Sequence, residues 1–187
     1  MALLCMQTAR RGGLSTIASP ISTYTEVLRR RPDSLEPLTQ PFCWSMMGKI
    51  YPGATPYYES PVFNFIDEYL PTSFGNRHIF KGHEMSGPPE LTDIQHDEAL
   101  DYLDELCGEL HFAMELLRGD FQFVNNIVVM HTRDAFEDWP EPERKRHLWR
   151  HWLSIPNNRP LTPRHEHFRE GLMLSDTTQN INSTPFS

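Results

Sequence analysis

The sequence predicts a mainly β chain with a few helices, of the β-sandwich or jelly-roll kind. Three observations carry that expectation. Beyond Gly108 apolar and polar residues alternate with period two, sixteen prolines and ten glycines interrupt the chain too often for a helical bundle, and few segments join helical spacing to a cap. A length of 187 residues with 39% hydrophobic and 11% aromatic content suits one domain, or most of a larger one, and is not the composition of a disordered chain.

The elements follow in order. Met1–Gln7 is short and apolar and reads as a buried strand. Ala9-Arg10-Arg11-Gly12-Gly13 is turn chemistry, and Ser15–Ser19 reads as the returning strand. Thr23 with Glu26 three residues on predicts a capping box and a helix to about Arg31, stopped by Pro32. Leu35 and Leu38 predict a second short helical turn. Between Phe42 and Pro89 aromatics such as Trp44, Tyr51, Tyr58 and Phe63 alternate with Pro and Gly, which predicts short strands and long loops. Thr92-Asp93-Ile94-Gln95 is another capping box, and Ala99, Leu100, Leu103 and Leu106 follow it at helical spacing. Leu110, Phe112, Met114 and Leu116 then alternate as a strand, Arg118-Gly119-Asp120 turns the chain, and Phe121, Phe123 and the Ile127–Met130 run read as the next strands. Lys145–Leu153 reads as one more. Beyond about Leu174 the residues are polar and read as a disordered tail, 175–187.

Charge and cysteine usage exclude several classes. A net charge of −8 disfavours nucleic acid as a partner, because such a protein needs a basic face to displace counterions. The triplet Arg29-Arg30-Arg31 ends a predicted helix, where cations are favoured anyway. Cys5, Cys43 and Cys107 form no CxxC pair, so neither a disulfide framework nor a thiolate zinc site is indicated, and a reducing, cytoplasmic compartment is the simplest expectation. No apolar run approaches the roughly 20 residues that cross a bilayer, so no membrane partner is expected. The early arginines, with no acidic residue before Glu26, faintly resemble a mitochondrial presequence; the Gly12–Gly13 turn between β-like segments fits a strand–turn–strand better.

Chemistry concentrates between Gly119 and Leu153. This stretch holds Gly119-Asp120-Phe121-Gln122-Phe123-Val124-Asn125-Asn126, then Met130-His131-Thr132-Arg133, then Arg144-Lys145-Arg146-His147-Leu148-Trp149-Arg150. A lone histidine ending an apolar strand is more often structural than a ligand. Arg146 and Arg150, four apart, would share one strand face about 13 Å apart. Facing a barrel interior, each would need an anion; facing out, they are a solvated basic edge. His147 and His151 are also four apart, with His165 and His167 near, but a strand would turn the first pair away from Arg146 and Arg150, so zinc is not expected.

The combined pattern resembles the C-terminal signature of the TauD/TfdA family of Fe(II)/2-oxoglutarate-dependent dioxygenases. Ala9–Ser15 is similar to that family's glycine-glycine turn, and Leu91–Leu106 to its internal helix. The resemblance implies a partial double-stranded β-helix (jelly roll) of the clavaminate synthase-like type over residues 1–174. It implies Fe(II) in a 2-His-1-carboxylate site and 2-oxoglutarate as cosubstrate. By motif position His131 resembles the second histidine ligand, and Arg146 the arginine that grips the distal carboxylate of 2-oxoglutarate, a contact suited to a planar fork. Ser15 falls where a hydroxyl assists that carboxylate, and Arg150 where an acidic group of a small-molecule substrate is held. The implied function is hydroxylation or oxidation of a small organic molecule, with a tailoring step in fungal secondary metabolism, such as a mycotoxin pathway, as its setting.

One departure stands against the match. The family's first two ligands form a His-x-Asp/Glu pair ahead of the glycine-glycine turn, and none of the eleven residues before Gly12 is His, Asp or Glu. His96-Asp97-Glu98 has similar spacing but lies after the turn on a predicted helix. The chain therefore reads as truncated at its N-terminus, as a gene product whose start is misplaced at an internal Met, or as a degenerate homologue. The alternative function is that of a catalytically incompetent remnant serving as a binding or scaffolding protein. Loss of the first strands would leave an exposed sheet edge, so an oligomer is a further expectation.

Overall fold

The computed structural model describes residues 1–46, 55–85, 87–153, 155 and 159. The predicted tail 175–187, Tyr51, His165 and His167 lie outside the described residues.

The chain opens with β1 (Ala2–Gln7), turns through β2 (Arg11–Gly12) and returns as β3 (Ser15–Ala18), as the sequence predicts. A largely helical insert follows: α1 (Pro20–Arg30), α2 (Leu35–Thr39), the hairpin β4 (Phe42–Ser45) and β5 (Tyr57–Ser60), α3 (Asn76–His83), and a π-helical stretch Ile94–Leu100 that runs into α4 (Asp101–Leu110). The remaining strands are β6 (Phe112–Met114), β7 (Phe121–Phe123), β8 (Met130–Arg133), β9 (Phe136–Glu137) and β10 (His147–His151). They complete two three-stranded antiparallel sheets, β10-β1-β7 and β6-β3-β8, with β2 and β9 as a small ribbon.

Helix α1 starts earlier than the sequence reading places it. Ser19 is its N-cap, accepting from the Ser22 amide at 3.3 Å, and Pro20 occupies the first turn, where its missing N–H costs nothing. Thr23 is instead buried inside the helix, donating from Oγ1 to the Ser19 carbonyl at 2.9 Å. Glu26 meets Arg29 and Arg30, each at 2.6 Å, rather than closing a box. The second box holds: the Gln95 amide donates to Thr92 Oγ1 and the Thr92 amide to Gln95 Oε1, both at 3.2 Å.

Three further expectations need correction. Helix α4 continues through Gly108 to Leu110, so the period-two strand begins only at Phe112. The Ile127–Met130 run is mostly turn: the Val128 and Val129 amides donate to the Asn125 carbonyl at 2.9 and 3.0 Å, and Asn125 Oδ1 accepts from Ile127, leaving Met130 to open β8. Helix α3 stands where only strands and loops are expected. Gly82 permits it, because a side chain there would meet the backbone of β4, 2.9 Å from the Ser45 nitrogen.

The apolar core belongs to the insert. Val27, Leu38, Phe42, Trp44, Phe63 and Ile79 pack around Ala99, Leu100, Leu103 and Leu106, the four positions that helical spacing singles out. Truncating Leu103 to alanine is expected to cost about 2–5 kcal/mol in urea unfolding, through lost burial and the cavity left behind. A loss below about 1 kcal/mol would contradict that packing.

All three cysteines are free. Burial pushes their pKa values up, that of Cys107 to about 12 with Asp104 adding to the rise. Thiolate is the reactive form, so at pH 8 Cys107 in the folded chain is expected to react with a thiol reagent at least about a hundredfold more slowly than in urea. Equal labelling rates would show that its environment is not closed.

No helix among the described residues is long and apolar enough to cross a membrane.

Candidate functional site

Strand parity assembles the site. Residues opposite one another in an antiparallel pair project from the same side of the sheet. In the first sheet Leu3 stands opposite both Arg150 and Gln122, and Cys5 opposite Leu148. In the second, Ser15 stands opposite Arg133 and Met114, and Ile17 opposite His131 and Phe112. A buried hydrogen bond from Ser15 Oγ to Gln122 Oε1, 2.8 Å long, joins the two faces. Both sets therefore line the space between the sheets. Gln122 turns its Nε2 to Met114 Sδ at 3.0 Å.

Arg146 enters from just ahead of β10. Its amide donates to Asp138 Oδ1 at 2.6 Å, and its guanidinium carbon lies 5.3 Å from the centre of the Phe136 ring. The glycine-glycine turn makes room for it. Gly12 and Gly13 hold φ of +72° and +78°, a left-handed conformation that side chains resist. A methyl on Gly12 would overlap the Ala135 carbonyl, and one on Gly13 would lie 3.2 Å from Arg146 Nε and 3.3 Å from Phe136 Cβ. A cavity opens beside these residues, lined by Cys5, Gly12, Gly13, Glu115, Arg146 and Leu148.

Strand parity thus turns His131, Ser15 and Arg150 toward the space between the sheets, while Arg146 lies beside the glycine-glycine turn against Phe136 and is the one of the four that lines the cavity there. The Ser15 hydroxyl spends its proton on Gln122, so it reaches the space as part of a pair. His131 is exposed, yet the neighbouring strands displace enough water from its ring to lower its pKa; the N-terminal amine and Arg150 add to this and a Val129 backbone hydrogen bond opposes it. The neutral imidazole is thereby favoured, which is the form that can ligate a metal.

Charge is distributed unevenly among the arginines. Arg29 and Arg30 pair with Glu26, Arg30 also with Glu109, and Arg31 with Asp33 and Glu98. No carboxylate lies within ion-pair distance of Arg133, Arg146 or Arg150 among the described residues. Arg150 instead lies 5.7 Å from the ring centre of Trp152. Burial, with Arg133 nearby, lowers the pKa of Arg146.

Sequence reasoning passed over Gln122, Arg133 and Phe136. A signal existed for two of them. Gln122 is the polar residue between Phe121 and Phe123, and Arg133 shares parity with His131.

Iron finds little to hold it. No three His, Cys, Asp or Glu side chains come together among the described residues. His96 stacks on Phe80 in the insert at 4.6 Å, and His147 and His151 project from the face of β10 opposite to Arg150. The described residues offer one inward imidazole, His131, and do not by themselves fit the metal.

The chain matches the model described as "Taurine catabolism dioxygenase TauD, TfdA family" over residues 1–152. It is 30% identical to the FR-33289 synthase of Streptomyces rubellomurinus over 84% of this chain and 48% of that protein. It is 27% identical to the taurine hydroxylase-like protein SAT17 of Stachybotrys chartarum, over 80% of this chain and 38% of that one. The chain thus spans about half, or less, of the length of these relatives. Among solved structures, an asparagine oxygenase in complex with Fe(II), 2S,3S-3-hydroxyasparagine and succinate superposes with a TM-score of 0.56 at 19% identity, over 79% of this chain and 42% of that one. That likeness shows the fold, and the jelly-roll expectation holds.

Proposed function

The chain belongs to the TauD/TfdA dioxygenase family, and on that premise we propose that it forms the cosubstrate-holding part of an Fe(II)/2-oxoglutarate oxygenase acting on a small organic molecule. Arg146 takes the distal carboxylate of 2-oxoglutarate, with Ser15 and Gln122 bordering the same space. Arg150 faces an acidic group on the substrate, and His131 is the metal ligand that these residues supply. The names of the two relatives support a tailoring oxidation in secondary metabolism as the setting.

One observation carries this reading. In a chain of net charge −8, Arg10, Arg11, Arg29, Arg30, Arg31 and Arg144 each meet a carboxylate, whereas among the described residues Arg133, Arg146 and Arg150 do not. Arg146 is partly buried while Arg133 and Arg150 are exposed, and because desolvating a guanidinium without a counter-charge is costly, an anion at Arg146 is the natural occupant. Because iron is not held by the described residues alone, the role assigned to this chain is what its own side chains do: attract, orient and neutralise a dianion.

Calorimetric titration of the chain tests it. 2-Oxoglutarate is expected to bind at least about tenfold more tightly than pyruvate, which shares the 2-oxo acid end but lacks the distal carboxylate; one charge-assisted bidentate contact is worth about that much. Equal affinity for the two would remove the assignment of Arg146.

A further inference from the structure

Arg133 stands two residues beyond His131 on β8 and opposite Ser15 on β3, so its side chain enters the same inter-sheet space. Its guanidinium carbon lies 4.2 Å from the centre of the Phe136 ring, and that of Arg146 lies 5.3 Å from the same centre. One aromatic ring thus serves two guanidiniums. Gly13 keeps Phe136 and Arg146 together, since its missing side chain is the space both occupy.

Two like charges at one ring repel, and the ring face offsets only part of this. A structural arrangement would be expected to place a carboxylate between them, as Glu26 lies between Arg29 and Arg30. Glu137 pairs instead with Arg10 at 3.2 Å and Arg11 at 3.0 Å. Asp138 accepts from the Arg146 amide and its charge is felt by the Arg146 guanidinium, but among the described residues neither it nor Glu115, which lines the adjoining cavity, forms an ion pair with Arg146 or Arg133. An external carboxylate can therefore still take the direct contact with both guanidiniums.

We propose that Arg133 is the second cation of the carboxylate site, holding the distal carboxylate of a dicarboxylic acid jointly with Arg146 across Phe136. The inference rests on the reading of Arg146 given above and adds to it a residue that sets affinity and the choice of dianion. Arg146, partly buried and pinned at its amide by Asp138, supplies the oriented fork. Arg133, nearer solvent, closes the site from the β8 side.

The test is titration of the whole chain with 2-oxoglutarate, comparing the unaltered protein with R133M, R133K and R146M, each also followed by thermal melting. R133M keeps an aliphatic stem over Phe136 and removes the charge; it is expected to weaken binding about tenfold. R133K restores the charge and is expected to recover affinity to within about threefold. The ligand-free R133M chain is expected to melt no lower than the parent, because a repulsion is removed with the contact. Unaltered affinity in R133M overturns the inference, as does an R133K chain as weak as R133M, which would mark a packing role. An R133M chain that fails to fold also contradicts it. If R146M leaves binding unchanged, the reading of Arg146 falls and this inference with it; loss in R146M alone sinks only the role of Arg133.

Discussion

Replacing Arg146 with methionine is expected to weaken 2-oxoglutarate binding by about a hundredfold while leaving the unfolding midpoint in urea nearly unchanged. The size follows from the contact removed: a charge-assisted, two-pronged interaction in a partly desolvated place contributes about 1.5–3 kcal/mol, and the change also strands the bound carboxylate beside a neutral stem. The small effect on stability follows from the structure. Among the described residues the Arg146 guanidinium has no ion pair to lose, and the hydrogen bond that anchors this residue, from its amide to Asp138, belongs to the backbone and survives the change. Methionine can still lie against Gly13 and Phe136. A variant that binds 2-oxoglutarate as the parent does would show that the dianion sits elsewhere; one that unfolds would show that the arginine is structural.

Substituting Gly82 with alanine is expected to be the most damaging single-methyl change in the fold, costing about 3–5 kcal/mol. Helix α3 lies directly on the backbone of β4, and the new carbon would sit 2.6 Å from the Cys43 carbonyl carbon and 2.9 Å from the Ser45 nitrogen. Backbone atoms in a paired strand cannot step aside as a flexible side chain can, so the helix must lift. That movement opens the core around Phe42, Trp44 and Ile79 and disturbs the 2.9 Å bond from the Cys43 amide to His83 Nε2. Gly108 provides the control. It lies in α4 with nothing within 4 Å of an added carbon, so Gly108→Ala is expected to stabilise by about 0.4–1 kcal/mol. Urea midpoints that move alike in the two variants would refute the close contact.

How far the sequence discloses this arrangement depends on the range of the interaction concerned. Strands β1 and β3 and the glycine-glycine turn are legible because alternation and left-handed glycine are local properties. Helix α4 is legible because Leu100, Leu103 and Leu106 announce a buried stripe. The start of α1 is misplaced since two N-terminal signals compete four residues apart; Ser19 with Pro20 outweighs Thr23 with Glu26 once Thr23 is buried. Helix α3 is invisible to periodicity because its decisive residue is a glycine, whose value lies in the strand it touches rather than in any propensity of its own.

The site shows the same division. His131, Ser15, Arg146 and Arg150 can be named from motif positions, but their convergence depends on register between strands over a hundred residues apart, such as Ser15 with Gln122. Pairing explains the rest. Arg29-Arg30-Arg31 and Arg144–Arg150 look equally basic as text, and only the fold reveals that the first group is neutralised by Glu26, Asp33, Glu98 and Glu109 while Arg146 and Arg150 in the second meet no carboxylate among the described residues.

The guanidinium Nε–H resonances of the arginines, followed by NMR during a titration with 2-oxoglutarate, report on the inter-sheet space most directly. Saturable shifts at Arg146 and Arg133, with Arg29, Arg30 and Arg31 silent, are the predicted result. Shifts confined to the exposed triplet, or uniform drift at every arginine, would contradict a dianion site between the two sheets.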